Sequence, residues 1–303
     1  MIIIGDDHKF NQIELNELPK DIILFHSRYN EEYLINFLLE NYKNSSRCKY
    51  IIINSNRKMS NELVEILTMF ELEGTKVWDI DYFMENYLHK IYIKNQKQKM
   101  INNSSFYPFD QIVYSVKRVI DFIMIFLLGI VFLPIILYSI YRIKKESPEG
   151  PVIFKQKRVG KYGKEFECFK FRSMFMNAEK NNLPQFSIDD DPRAFKWGKF
   201  MRKTRIDELP QLWNVLKGDM HLIGPRPERK YWVDKYKKDI PLYQQRHLVL
   251  PGITGWAQVK YKYGSNEKDA RQKLMYDLYY IKNWSLWLDL KILFKTVKVV
   301  LNV

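Results

Sequence analysis

Residues 204–227 read T-R-I-D-E-L-P-Q-L-W-N-V-L-K-G-D-M-H-L-I-G-P-R-P. Asp207 and Glu208 stand side by side, preceded by Arg202 and Arg205 and followed by a Gly-Pro-Arg-Pro turn that carries Arg226. Pro210 suits a first helical turn, and Gly218 suits a helix stop. Leu209, Leu212, Trp213 and Leu216 recur at helical spacing, which predicts an apolar stripe facing the core, with Trp213 also suited to lipid. The reading is a short helix with the carboxylate pair near its start, where free N–H groups favour anions, including a bound phosphate. Neighbouring helical residues point in different directions. One carboxylate can therefore face a phosphorus atom while the other holds a hard, oxygen-seeking cation such as Mg²⁺.

Taken alone, an Asp-Glu pair is usually a solvated helix start. The arginines change that reading, because a carboxylate can meet a phosphate only where cations offset the repulsion. Guanidinium forks match phosphate oxygens. Prolines on both sides of Arg226 restrict its backbone, so it is held in place. Arg229 lies just beyond.

Towards the C-terminus, residues 251–259 read P-G-I-T-G-W-A-Q-V. Thr254, Trp256 and Gln258 suit a nucleobase held by stacking and edge hydrogen bonds, and the same pattern suits a structural turn. Asp277 follows in a segment dense with Tyr and Trp, as a second metal ligand, a substrate-hydroxyl acceptor or a capping residue. Residues 284–303 mix apolar side chains with Lys291, Lys295 and Lys298, and read as an interfacial amphipathic helix or one packed on the core. Towards the N-terminus, residues 152–160 predict a strand and a basic turn, and 165–174 a second strand.

Further back, residues 119–143 form an apolar segment whose charged groups, Asp121 and Arg142, sit near its ends. It exceeds the roughly 20 residues that span a bilayer. Pro134 interrupts it, removing a backbone donor and crowding the carbonyl of Ile130. Lys117 and Arg118 flank one end, and Arg142, Lys144 and Lys145 the other. The positive-inside tendency places both ends in the cytoplasm. A helix that enters, bends at Pro134 and returns satisfies both facts; a kinked spanning helix is the alternative.

Residues 1–94 read as a small α/β unit, with β-prone runs at 2–4, 22–25, 50–54 and 77–80 and helical patterns at 31–42 and 61–72. Ser60 is the expected N-cap of the second helix and Gly74 its stop. Alternation argues a parallel sheet. G-D-D-H follows the first strand where a glycine-rich phosphate loop would stand, so no dinucleotide fingerprint is present. A regulatory or assembly role is the expectation, followed by a polar linker at 95–110, the membrane helix at 111–146 and an α+β catalytic region at 147–303.

The net charge of +14 implies an anionic partner: nucleic acid, anionic lipid or a phosphorylated substrate. Aromatic residues make up 15% and often adjoin Lys or Arg, a pattern that suits a membrane interface as well as it suits nucleic acid. Cys48 and Cys168 lie far apart, which argues against a disulfide framework or a structural zinc and favours a reducing compartment. No signal peptide is expected from M-I-I-I-G-D-D.

In order along residues 117–303 stand K-R-V-I-D with the Pro-broken segment, G-P-V-I-F-K-Q-K-R-V-G, F-K-F-R-S-M, D-D-P-R, R-K-T-R-I-D-E-L-P-Q-L-W-N-V-L-K-G-D-M, G-P-R-P-E-R and P-G-I-T-G-W-A-Q-V. The ordered set resembles the monotopic phosphoglycosyl transferases of bacterial glycan assembly, the bacterial sugar transferases. The resemblance implies transfer of a sugar 1-phosphate from a UDP-sugar to undecaprenyl phosphate through a covalent aspartyl intermediate, with Mg²⁺ and release of UMP. It places this step at the start of glycan assembly, on the cytoplasmic face of the bacterial inner membrane. Partners would be the two substrates and membrane lipid but no nucleic acid, with a homo-oligomer left open. By motif position Asp207 would be the nucleophile, Glu208 the metal-associated carboxylate and Asp277 a further required acid. Arg202 and Arg226 would contact phosphate, with Lys170, Arg172 and Arg205 as further candidates. Pro-Arg-Pro-Glu-Arg resembles the hexose-1-phosphate branch. One departure is Leu133 before Pro134, where members often carry Ser; the missing hydroxyl is worth about 1 kcal/mol, and another group must serve the freed carbonyl. The alternatives are a membrane-anchored basic scaffold binding anionic lipid, which has no need of the ordered acids, and a metal-dependent phosphatase or nucleotidyl enzyme.

Overall fold

The structure, a computed structural model, describes residues 1–26, 30–43, 48–94, 109–176, 191–261, 264 and 266–301. It divides into two compact units, Met1–Tyr92 and Ile93–Val303.

In the first unit four short parallel strands, β1 (Ile2–Ile4), β2 (Ile23–Phe25), β3 (Tyr50–Ile53) and β4 (Lys76–Asp79), lie in the order β2-β1-β3-β4. Helices α1 (Gln12–Glu17), α2 (Glu31–Lys43), α3 (Asn61–Leu72) and α4 (Ile80–Asn86) alternate with them. Strand side chains alternate between faces. Ile2, Ile4 and Ile51 accordingly pack with Leu34, Leu38, Leu63 and Phe70 of α2 and α3. Ile3 and Ile52 face the other way, onto Ile80, Phe83 and Met84 of α4. Apolar burial on both faces explains the isoleucine runs. Ser60 caps α3 by accepting from Leu63 N–H, as expected, and Gly74 adopts φ +95° at its end. Sequence patterning had not suggested α1 or α4. Ile80, expected to close the fourth strand, begins α4 instead, because Asp79 caps a helix there by accepting from Tyr82 N–H.

The second unit begins with α5 (Gln111–Glu146), continuous in its helical assignment and with Pro134 inside it. Residues 95–108 of the expected linker lie outside the described residues. Asp110, placed in that linker by the sequence, is the N-cap of α5 and accepts from Val113 N–H at 2.7 Å. Two stretches of α5 are buried and the middle is not. Ile125 joins a core with Val215, Tyr280, Ile281 and Ile292. Ile143 joins another with Phe171, Phe195 and Met201. Between them Phe126, Ile130, Val131 and Leu133 are exposed. By length and composition α5 can cross a membrane.

Polar contacts fix the start of α5. Lys117 Nζ donates to Tyr280 Oη (2.7 Å) and Asp289 Oδ2 (2.8 Å). Asp121 takes His221 Nδ1 at 2.5 Å and Leu222 N–H at 3.0 Å.

An antiparallel hairpin follows, β5 (Ile153–Val159) with β6 (Glu165–Phe171), close to expectation. Then come α6 (Lys196–Thr204), a 3-10 turn at Ile206–Glu208, α7 (Gln211–Lys217), β7 (His221–Ile223) and α8 (Lys230–Asp239). The chain ends with β8 (Gly252–Thr254), α9 (Trp256–Lys260), α10 (Glu267–Lys282) and α11 (Leu286–Leu301). β7 and β8 pair in parallel. They approach so closely at Gly252 that a Cβ there would lie 2.0 Å from Gly224 N. That contact explains the glycine of P-G-I without a ligand.

Candidate active site

The turn that holds the carboxylates is built by a break. Arg205 takes the left-handed conformation (φ 61°), stopping α6 and reversing the chain. Ile206–Glu208 then form their own 3-10 turn, and Pro210 separates it from α7. The carboxylates thus precede α7 and are not in its first turn as the sequence suggested. Pro210 occupies the cap position and Arg205 imposes the reversal.

The apolar stripe also needs correction. Trp213 is 58% exposed and Leu216 also lies outward, while Gln211, Asn214 and Val215 face in. The cause is Asn214. Its amide accepts from Phe169 N–H (2.9 Å) and donates to Glu167 O (2.6 Å) and Asp219 Oδ2 (3.1 Å). A buried amide satisfied on every side can outcompete part of an apolar face, which leaves Trp213 and Leu216 outward while Leu209 and Leu212 pack against the cores as predicted.

Asp207 and Glu208 are both buried, yet their surroundings differ. Glu208 Oε1 accepts from Lys170 Nζ on β6 (2.9 Å) and from Arg226 Nη2 (2.6 Å), while Oε2 has only a 3.4 Å contact with Arg226 Nη1. Burial alone would raise the Glu208 pKa, but the combined charges of Arg226, Lys170 and Arg205 hold it well below the usual carboxylate range. Asp207 Oδ1 is buried with no hydrogen-bond partner among the described residues. Burial, then the neighbouring Glu208 charge, pushes Asp207 up to about 6, against the opposing pull of Lys170, Arg205 and Arg202. The pair therefore holds one locked anion and one carboxylate with an open oxygen.

Of the predicted cations, Lys170, Arg202, Arg205 and Arg226 all act on this pair. Arg172 does not join them. It is buried, and its guanidinium donates to Pro151 O, Ser147 Oγ, Ser147 O and Gly150 O, tying down the turn at 147–151. Asp191 of D-D-P-R likewise closes on its own loop through Arg193 Nε (2.8 Å) and Nη2 (2.6 Å).

The nucleobase candidates are corrected too. Trp256 is 1% exposed and packs in the core of the unit, so it presents no face for stacking. Thr254 Oγ1 meets Thr296 Oγ1 at 2.7 Å, and Gln258 Nε2 donates to Ile253 O at 3.0 Å. In this structure the segment folds as β8 and α9, and these side-chain contacts lie within the unit.

Asp277 on α10 does not reach the Asp-Glu pair directly. Arg246 Nη2 lies 2.8 Å from its Oδ2, and the same nitrogen donates to Arg226 O at 2.9 Å. That Asp277 oxygen has the ion pair without an aligned hydrogen bond. Burial raises Asp277 to about 6, opposed by Arg246. Asp277 thus acts on the site through Arg246 and the backbone of Arg226. Sequence reading missed Arg246, Arg158, Glu228 and Lys273. Arg158 donates to Pro227 O (3.2 Å) and lies 3.9 Å from Glu228 Oε2. Glu228 was legible as the acid of G-P-R-P-E-R; Arg246 stands in no motif.

The oxygen-only donors fit a hard divalent cation. Mg²⁺ is ordinarily held by one or two carboxylates together with substrate phosphates, and the weakly held Glu208 Oε2 is the atom available for it, which leaves Asp207 Oδ1 open. No group of three or more acidic, His or Cys ligands occurs among the described residues.

These features define a basic site built around one open carboxylate and suited to phosphate. Residues 112–303 match the bacterial sugar transferase family, and the chain belongs to it. It is similar to the UDP-N-acetylgalactosamine-undecaprenyl-phosphate N-acetylgalactosaminephosphotransferase of Aeromonas hydrophila, with 50% identity over 187 residues, 62% of this chain and 44% of that protein. The undecaprenyl-phosphate galactose phosphotransferase of Salmonella typhimurium is 41% identical over 200 residues, 61% of this chain and 40% of its own. The UDP-glucose:undecaprenyl-phosphate glucose-1-phosphate transferase of Caulobacter vibrioides is 43% identical over 183 residues, 60% of this chain and 68% of its own. The chain thus spans less than half the length of the Aeromonas and Salmonella relatives.

Proposed function

We propose that this protein transfers a sugar 1-phosphate from a UDP-sugar to undecaprenyl phosphate at the cytoplasmic surface of the membrane, releasing UMP. The observation that carries this reading is Asp207, a buried carboxylate with an open oxygen beside an acid already neutralised by Lys170 and Arg226. The relatives' names supply the two substrate classes.

In this mechanism Asp207 Oδ1 attacks the β-phosphorus of the donor. The bond from that phosphorus to the oxygen bridging the two phosphates breaks, and UMP departs with the oxygen. The sugar phosphate stays on Asp207 as an acyl phosphate. A phosphate oxygen of the undecaprenyl phosphate then attacks the same phosphorus, the Oδ1–P bond breaks, and the carboxylate is restored. Covalent catalysis divides one hard displacement into two. Lys170, Arg202, Arg205 and Arg226 offset charge developing on the phosphoryl oxygens. Mg²⁺, held by Glu208 with the donor phosphates, would supply further charge neutralisation.

The lipid acceptor must reach Asp207 without leaving the bilayer. Both flanks of α5 are buried in the same unit while its middle is exposed and apolar. A straight helix of 36 residues would extend about 54 Å and would carry parts of that unit to opposite sides of a bilayer. Re-entry at Pro134 keeps the unit on one side. On α11 the exposed Trp287, Leu290, Phe294 and Val297 form a second lipid-facing strip.

The test is UMP release from a panel of UDP-sugars by detergent-solubilised protein with Mg²⁺ and undecaprenyl phosphate. UMP formed with one donor and lost in Asp207→Asn is the expected result. Substantial residual transfer in that variant would overturn the assignment of Asp207. Folded protein yielding no UMP would favour a lipid-binding scaffold, and free phosphate or sugar phosphate a hydrolase.

A further inference from the structure

We propose that a recess behind Arg246 receives the sugar of the donor and discriminates among sugars, an inference that rests on the transfer reading above. The recess is lined by Glu228, Trp232, Tyr236, Tyr243, Arg246 and Lys273. It begins one side chain from the phosphate site, since Arg246 lines it and also holds Arg226 O at 2.9 Å. Arg226 in turn grips Glu208.

Two properties separate the recess from the site around Asp207. The first is charge. At the carboxylate pair four cations, Lys170, Arg202, Arg205 and Arg226, outnumber two acids, which suits phosphates. In the recess Arg246 and Lys273 are matched by Glu228 and by Asp277 against Arg246, which suits a neutral polar group. The Glu228 carboxylate would repel the donor's α-phosphate, whereas it can accept from a sugar hydroxyl.

The second property is shape and surface. Trp232 and Tyr236 stack with centroids 5.9 Å apart and planes at 19°, and Tyr243 closes on Tyr236 at 5.6 Å. Tyr236 and Tyr243 are buried, so the half-buried Trp232 is the ring that can meet a ligand, held in place by the two tyrosines behind it. A few convergent polar groups in an aromatic cleft are the usual make-up of a small-molecule site. Tyr243 Oη already accepts from Arg246 Nη1 at 2.8 Å, so that wall is held before any ligand arrives.

The test uses the full chain and steady-state UMP release with UDP-glucose, UDP-galactose and their N-acetylhexosamine counterparts, and free UDP as a competitive inhibitor that lacks the sugar. Glu228→Gln and Trp232→Phe are the variants, each with a melting curve to establish folding. The expected result is that kcat/KM for the preferred donor falls about tenfold relative to the other donors, while the inhibition constant of UDP stays within about twofold. A UDP constant that worsens in step with the donor KM would assign the recess to the nucleotide and overturn the proposal. So would variants with unchanged donor discrimination. No UMP from the wild-type chain with any donor would overturn the transfer reading itself, a failure recorded before the variants are compared.

Discussion

Replacing Asp207 by Asn should end transfer and, in the same molecule, stabilise the catalytic unit above neutral pH. Burial, reinforced by the adjacent Glu208 charge, raises the folded-state pKa of Asp207 to about 6 from an ordinary 3.8. Between those values the folded protein retains a proton that the unfolded chain has lost. Stability therefore falls as pH rises from about 4 to about 6 and stays lowered above that range. A shift of about two units, at about 1.4 kcal/mol each, amounts to about 3 kcal/mol. Asn carries no such ionisation cost, but its buried amide lacks the described partners it would need, at about 1–2 kcal/mol. The net gain at pH 8 is about 1–2 kcal/mol, or a melting temperature about 2–8 °C higher for a unit of this size. At pH 4 the ionisation gain is gone because the wild-type carboxyl is then protonated in the fold, and the variant is less stable by the amide cost of about 1–2 kcal/mol. Thermal melts of the two proteins in the same detergent from pH 4 to pH 8 check this. Curves that shift in parallel across the whole range would refute the claim that the fold burdens this carboxylate.

The rate should carry the same signature. In wild type, kcat/KM for UMP release is expected to rise with pH through an apparent pKa near 6, the free-enzyme value. Asp277 is also raised to about 6, so Asp277→Asn assigns the limb: a lower plateau with the limb retained is expected, and a vanished limb would transfer it to Asp277. Asn214→Ala should cost about 2–4 kcal/mol by orphaning Phe169 N–H and Glu167 O, read as a fall in melting temperature. Trp213→Ser should leave stability within about 0.5 kcal/mol and weaken co-flotation with lipid vesicles, since its side chain is exposed on an apolar face.

Much of the molecule follows from local rules that the sequence states by itself. Isoleucine runs between helical patterns specify the parallel sheet, because a strand buried on both faces must be apolar at every position. Ser60 and Gly74 mark the ends of α3 because caps depend on single side chains and single φ angles. The length and composition of α5 identify it as a membrane-seeking helix. Asp207, Glu208 and Arg226 were legible because unusual residue types at short spacing already imply their chemistry, whereas Lys170 entered only through the resemblance.

Tertiary structure decided what depends on residues far apart in the chain. Whether an acid is locked or open is set by which cations reach it. Lys170 arrives from β6 and Arg226 from beyond β7, and both choose Glu208. Arg172 looked equivalent to Lys170 two positions away, yet it lies just past the end of β6, where the 147–151 turn claims it. Trp256 looked ready to stack, but the close approach of β7 and β8 carries it into the core. The orientation of α7 was misread because the periodicity of apolar residues shows where a hydrophobic face lies, not whether water, protein or lipid covers it. Asn214, with its hydrogen bonds to Phe169 and Glu167, settled that. Burial and long-range charge are sums over neighbours that no stretch of sequence contains, so the open carboxylate at Asp207 and the recess behind Arg246 appear only once the chain is folded.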